Sequence, residues 1–229
     1  MTESVNTKWR ILDIFVVLGI YAVAMTVFYG ISAAILGTDI LDSQNSPPWF
    51  SLLEGLVEFG IFVLLPVLIV TRAYKAKIKE IGLETLVSHA AVWVGIFSGV
   101  LLWATVSLVN YLIESVFGPG PAHPDIERLS ASSSTIDYLL LSFPVFILTP
   151  ISEEVYARGF AYTILRERYG VTTAMIASSI LFAAFHMSLW FFLQAFVAAV
   201  GLAWLREKYN SVAPAIVAHA VVNLLAALT

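Results

Sequence analysis

The chain has 229 residues, of which 59% are hydrophobic and only 12% charged, and its mean hydropathy is +0.88. Those values exclude a water-soluble domain. The net charge of −4, without any long basic run, excludes a nucleic-acid binder, and the lack of cysteine excludes disulfides, thiolate metal ligands and a cysteine nucleophile.

The apolar residues fall into seven blocks of roughly membrane-spanning length: 11–37, 49–71, 91–117, 137–165, 171–190, 191–205 and 212–228. An all-α, polytopic membrane bundle of about seven transmembrane helices is therefore expected, with the polar residues in the last four. The first block is too long for a signal-peptide core and lacks a small-residue cleavage site, so it reads as a retained helix. Blocks five and six are tight for two crossings, which predicts that one is short or tilted.

Lys8 and Arg10 precede the first block, Arg72, Lys75, Lys77 and Lys79 follow the second, Arg166 and Arg168 the fourth, and Arg206 and Lys208 the sixth. If seven crossings alternate, all lie on one side, which the positive-inside rule makes cytoplasmic, with the N-terminus in and the C-terminus out. Residues 118–136, with three prolines and the run Ser130-Ala131-Ser132-Ser133-Ser134, read as a flexible external linker between N-terminal helices (1–117) and a catalytic core (137–229) of one membrane domain.

Glu153, Glu154, Arg158, His186, His219 and Asn223 lie inside the C-terminal apolar blocks, where ionisable groups are costly unless paired or hydrated. Glu154 and Arg158 are four apart, as are Phe182 and His186, and His219 and Asn223, so each pair shares a helical face. Counting at ~1.5 Å per residue from the turn at Tyr169–Gly170 puts Glu153 and His186 both about 23 Å away. The same count from Lys208 puts His219 and Asn223 at about 17 and 23 Å. The four side chains are expected at one depth. Pro144 and Pro150 precede the glutamates and predict a broken, water-accessible fourth helix.

Taken singly, Glu154 with Arg158 reads as a register-fixing ion pair, His186 and Asn223 as interhelical hydrogen bonders, and Phe182 as packing. Asp13, Glu54, Glu58 and Glu114 read as lining an interface or a polar cavity. Taken together, the C-terminal set meets the needs of peptide hydrolysis, in which a base activates water and donors await the oxyanion. A glutamate in an apolar site is such a base, a histidine can hold the water, and His219 with Asn223 can donate to the carbonyl oxygen. Arg158 would keep Glu154 ionised and leave Glu153 to take the proton. No H-E-x-x-H, no G-x-S-x-G and no paired transmembrane aspartates occur. A non-catalytic membrane partner and an ion-coupled transporter remain alternatives.

The run Glu153-Glu154-Val155-Tyr156-Ala157-Arg158-Gly159, then Phe182-Ala183-Ala184-Phe185-His186, then His219-Ala220-Val221-Val222-Asn223, resembles the three motifs of the CPBP (CAAX protease and bacteriocin-processing, or Abi) family. The resemblance implies an intramembrane glutamic endopeptidase of the type II CAAX prenyl protease kind. It implies that Glu153 with His186 activates the water, that His219 and Asn223 form the oxyanion hole, and that Glu154 and Arg158 support the site. It implies no cofactor, with zinc as the second-best mechanism. The expected partners are a peptide or protein substrate and the lipid bilayer of a prokaryotic cell membrane, with bacteriocin processing or immunity among the roles. Residues 1–135 add no motif.

Overall fold

The computed structural model describes residues 8–42, 46–83, 88–186 and 188–229, and among these it is helical with no strand. Its elements are α1 (Ile11–Leu36), α2 (Pro48–Ala73), α3 (His89–Phe117), the short α4 (Pro124–Ser130), α5 (Thr135–Phe185), α6 (Leu189–Tyr209) and α7 (Ala213–Leu228). Five are long and apolar enough to cross a membrane, namely α1, α2, α3, α5 and α6. The 51-residue α5 is two limbs, because Gly170 (φ 80°) leaves the helical region in its middle. Only glycine takes that backbone angle without strain.

Two block boundaries change. The fifth block ends at Phe185 rather than 190, and the sixth, read as 191–205, becomes α6 at Leu189–Tyr209; Met187 lies outside the described residues. The limb 171–185 is short, about 22 Å at ~1.5 Å per residue. His186 is consequently the residue that ends a helix, not one in mid-span.

Large apolar side chains face outward, and several polar ones are buried within a mostly hydrophobic interior. Ile35, Phe97, Phe117 and Leu189 are exposed, whereas Ser152, Glu154, Arg158, Ser178, Ser179 and His219 are buried, as lipid rather than water demands. Small residues let helices close up. A Cβ on Gly95 or Gly99 of α3 would come within 2.7 Å of Val217, Val221 or the Ala218 carbonyl of α7, the close approach that small residues four apart permit. The Tyr156 hydroxyl donates to the Ile14 carbonyl at 3.0 Å and ties α1 to α5.

The basic segments do gather at one end. Lys8 pairs with Glu80 at 2.7 Å, the Trp9 indole donates to Glu167 at 2.6 Å, Arg166 pairs with Glu207 at 2.6 Å, and the Val212 amide reaches the Gly82 carbonyl at 3.0 Å. At the opposite end the segment read as a flexible linker is instead docked. Arg128 of α4 donates to Ser51 Oγ at 2.6 Å and to the Ser46 carbonyl at 2.9 Å, Leu129 is buried, and Gly120 sits so close to the Trp190 indole that a Cβ would overlap it. Counting prolines and serines in 118–136 missed these contacts because each is made to a residue distant in sequence.

Candidate active site

α5 is not broken as the prolines predicted; it is widened twice. Pro144 opens a π turn over Pro144–Leu148, and a second covers Val155–Ala161, after the glutamates and without a proline. Widened turns of this kind push backbone and side chains out of the regular ladder. All seven residues of the second turn are buried, and Gly159 lets the Ile81 carbonyl approach, since a Cβ there would stand 3.1 Å from it.

That turn carries Arg158. Its guanidinium donates to Glu154 Oε1 at 2.9 Å and to the Ala199 carbonyl of α6 at 3.1 Å, and it lies 4.3 Å from the Phe182 ring centroid. His219 of α7 adds a second contact to Glu154 Oε1, from Nδ1 at 3.0 Å. Glu154 and Arg158 have fully buried side chains. Phe182 packs between the Arg158, His186 and His219 groups. Three helices are thus tied together through the Glu154–Arg158 pair, whose opposite charges compensate each other in a fully buried place.

Glu153 has a different environment. Its side chain is 22% exposed and its nearest charged contact is His219 Nε2 at 3.8 Å, beyond hydrogen-bond length. Glu153, His186, His219 and Asn223 all line one cavity of about 380 Å³. Acceptors around the two rings fix their protons. Glu154 can only accept at this site, so His219 Nδ1 carries hydrogen; the Phe182 carbonyl, 3.3 Å from His186 Nδ1, likewise makes that nitrogen a donor and leaves Nε2 as an acceptor.

Asn223 repairs a defect that the prolines create. In the first wide turn the Thr149 amide bonds to the Pro144 carbonyl, so it is lost to Val145. The next amide that could serve the Val145 carbonyl belongs to residue 150, a proline without N–H. Asn223 Nδ2 donates to that orphaned carbonyl at 3.0 Å, which satisfies a group that would otherwise be costly to bury. Its second N–H stays available to the cavity it lines.

The cavity has walls the motifs did not reveal. Glu58, His123, Asp125, Phe191 and Gln194 also line it. Glu58 therefore faces a polar cavity, as expected of it. Gln194 was discoverable by the same rule as the other intramembrane polar residues, and it bonds to Asn110 at 2.6 Å. Asn110 in turn bonds to Glu114, four residues on, at 3.1 Å. Asp13 takes the Tyr74 hydroxyl. His123 and Asp125 come from the docked linker and had no signal in sequence. Among the described residues no three His, Asp or Glu side chains are grouped to hold a metal ion, and Glu154 Oε1 is held by Arg158 and His219.

Together these features define a helical integral membrane protein with a cavity lined by polar and titratable side chains among its C-terminal helices. Residues 135–225 match the family model described as type II CAAX prenyl endopeptidase Rce1-like, so this C-terminal part of the chain is similar to the CPBP family. The chain is also similar to an uncharacterized 24.3 kDa protein of Escherichia coli, at 31% identity over 135 residues covering 55% of each. It thus spans about half the length of that curated relative. No solved structure matches it.

Proposed function

We propose that the protein is an intramembrane endopeptidase that cleaves a peptide or a membrane-associated protein, with Glu153 as the general base. The observation that carries this reading is the division between two adjacent glutamates. Glu154 is sealed, and its Oε1 is held by both Arg158 and His219, whereas Glu153 faces the cavity without a hydrogen bond to either. The first is built to stay charged and still; the second is free to move a proton.

In this mechanism a water sits between Glu153 and His186 Nε2, which accepts from it. Glu153 removes one proton as the water oxygen attacks the scissile carbonyl carbon, and the C–O bond forms. Because His219 already donates Nδ1–H to Glu154, it acts in this mechanism as the imidazolium, with Nε2–H as its second donor. The imidazolium and the second N–H of Asn223 receive the oxyanion. Glu153 then passes its proton to the leaving nitrogen as the C–N bond breaks.

The site is set in a prokaryotic cell membrane in this reading, with the basic end cytoplasmic, and the bacterial origin of the similar protein supports it. Prenylated substrates are not expected there; peptide maturation or bacteriocin processing fits better. Comparative peptidomics of cells carrying the wild type or Glu153→Gln tests the proposal. Peptides that accumulate uncleaved only with the variant are expected, and identical peptidomes at equal protein abundance would sink it.

A further inference from the structure

The cavity holding Glu153 adjoins a second one of about 270 Å³, and the two share Glu58, Asp125, Val145 and Thr149 as walls. Glu54, Glu58 and Asp125 line this second space with a single guanidinium, that of Arg128. Most of these groups are engaged. Arg128 is bound by Ser51 and the Ser46 carbonyl, and Glu54 accepts from the Tyr29 hydroxyl at 2.6 Å. Glu58 is the exception: its Oε1 is buried and has no hydrogen-bond partner among the described residues.

A buried carboxylate oxygen without a donor is costly unless a ligand supplies one. The surroundings indicate what kind. Glu58 and Glu153 together line a further pocket whose other walls include Tyr21, Phe62, Tyr156 and Phe185. Tyr21, Phe62 and Tyr156 form a stacked ladder, with centroids 4.5 and 4.8 Å apart. Aromatic walls beside an unpaired carboxylate suit an organic cation, since the rings cover its aliphatic stem while the carboxylate takes its charge. A metal ion fits worse, because no three ligating side chains are grouped among the described residues.

Building on the peptidase reading, we propose that Glu58 anchors a cationic group of the substrate, the ammonium or guanidinium of a Lys or Arg side chain, next to the bond that Glu153 attacks. The substrate class is then an apolar peptide with a basic residue near its cleavage site. Glu58 supplies the charge-assisted acceptor, and the Tyr21–Phe62–Tyr156 ladder supplies the wall.

The test separates this site from the chemistry. Purified Glu153→Gln protein in lipid nanodiscs is titrated with short apolar fluorescent peptides carrying one lysine moved along the sequence, and with norleucine counterparts. At one position lysine should bind about tenfold tighter, as expected of one charge-assisted contact, and adding Glu58→Gln should bring that ratio to about one. Equal affinity at every position, a result needing no further variant, overturns the proposal, as does a lysine preference that survives Glu58→Gln. Cleavage of the same peptides by protein with Glu153 intact distinguishes the two readings. A lysine preference in binding with no cleavage defeats the peptidase and upholds the cation site, whereas cleavage indifferent to lysine does the reverse.

Discussion

α1 and the turn Val155–Ala161 are both helical and largely apolar, yet α1 buries only Ile14 and Val17 while every residue of the turn is buried. For most of its circumference α1 has lipid as its partner, and any apolar residue serves lipid equally well. The turn has other helices as its partner. There Gly159 must admit a carbonyl, Arg158 must reach both Glu154 and Ala199, and Tyr156 must find Ile14. Recognisable motifs concentrate where geometry leaves one solution, which is why residues 1–135 matched only as generic spans.

Substitutions should expose this contrast. The largest effect is expected at Glu153, where Glu153→Gln should lower kcat by about 10²–10⁴-fold, the usual worth of a positioned base. Replacing exposed Ile31 of α1 by Ala should leave turnover intact, and equal losses at both positions, measured on a cleaved peptide, would erase the distinction. Next comes Arg158→Ala, which strands Glu154 uncompensated and fully buried. Removing one partner of such a pair costs about 3–5 kcal/mol, so the variant should fall in membrane abundance and melting temperature; a normal melting curve would show that the network is not structural.

Asn223→Ala should cost less, about 1–3 kcal/mol for the orphaned Val145 carbonyl, together with a drop in kcat from the lost donor. A second change, Pro150→Ala, restores an amide that can serve Val145 in the wide turn. Stability should then recover while kcat stays low; joint recovery would mean that Asn223 acts only through the backbone.

The smallest effect is at the Lys8–Glu80 pair outside the spans. The Lys8 hydrogen bond holds the Glu80 carboxyl below its ordinary range. Its contribution is therefore present above the ordinary carboxylate pKa and fades as pH falls through the lowered folded value. Because both groups are exposed, the gain stays within about 1 kcal/mol. Proteolysis of the N-terminal segment should quicken in that acidic window and lose its pH dependence in Glu80→Gln.

Much of the site was legible in sequence because polar residues in apolar blocks are conspicuous, and counting from charged turns brought Glu153, His186, His219 and Asn223 to one cavity. The count treated helices as regular, however. It missed that His186 ends its helix and that α5 widens rather than breaks. Nor did it find His123 and Asp125, since proline-rich composition carries no record of the distant side chains on which a linker docks.

The sequence by itself determined the membrane setting, the helical class and the identities of the six polar residues, because these follow from composition and from local spacing along a helix. Only the tertiary structure decided which of two adjacent glutamates is sealed, which carbonyl Asn223 serves and which N-terminal carboxylate opens onto Glu153. Those depend on contacts between residues as far apart as His219 and Glu154, Asn223 and Val145, or Glu58 and Glu153. Spacing along one helix specifies a face, but only the packing of several helices specifies what that face meets.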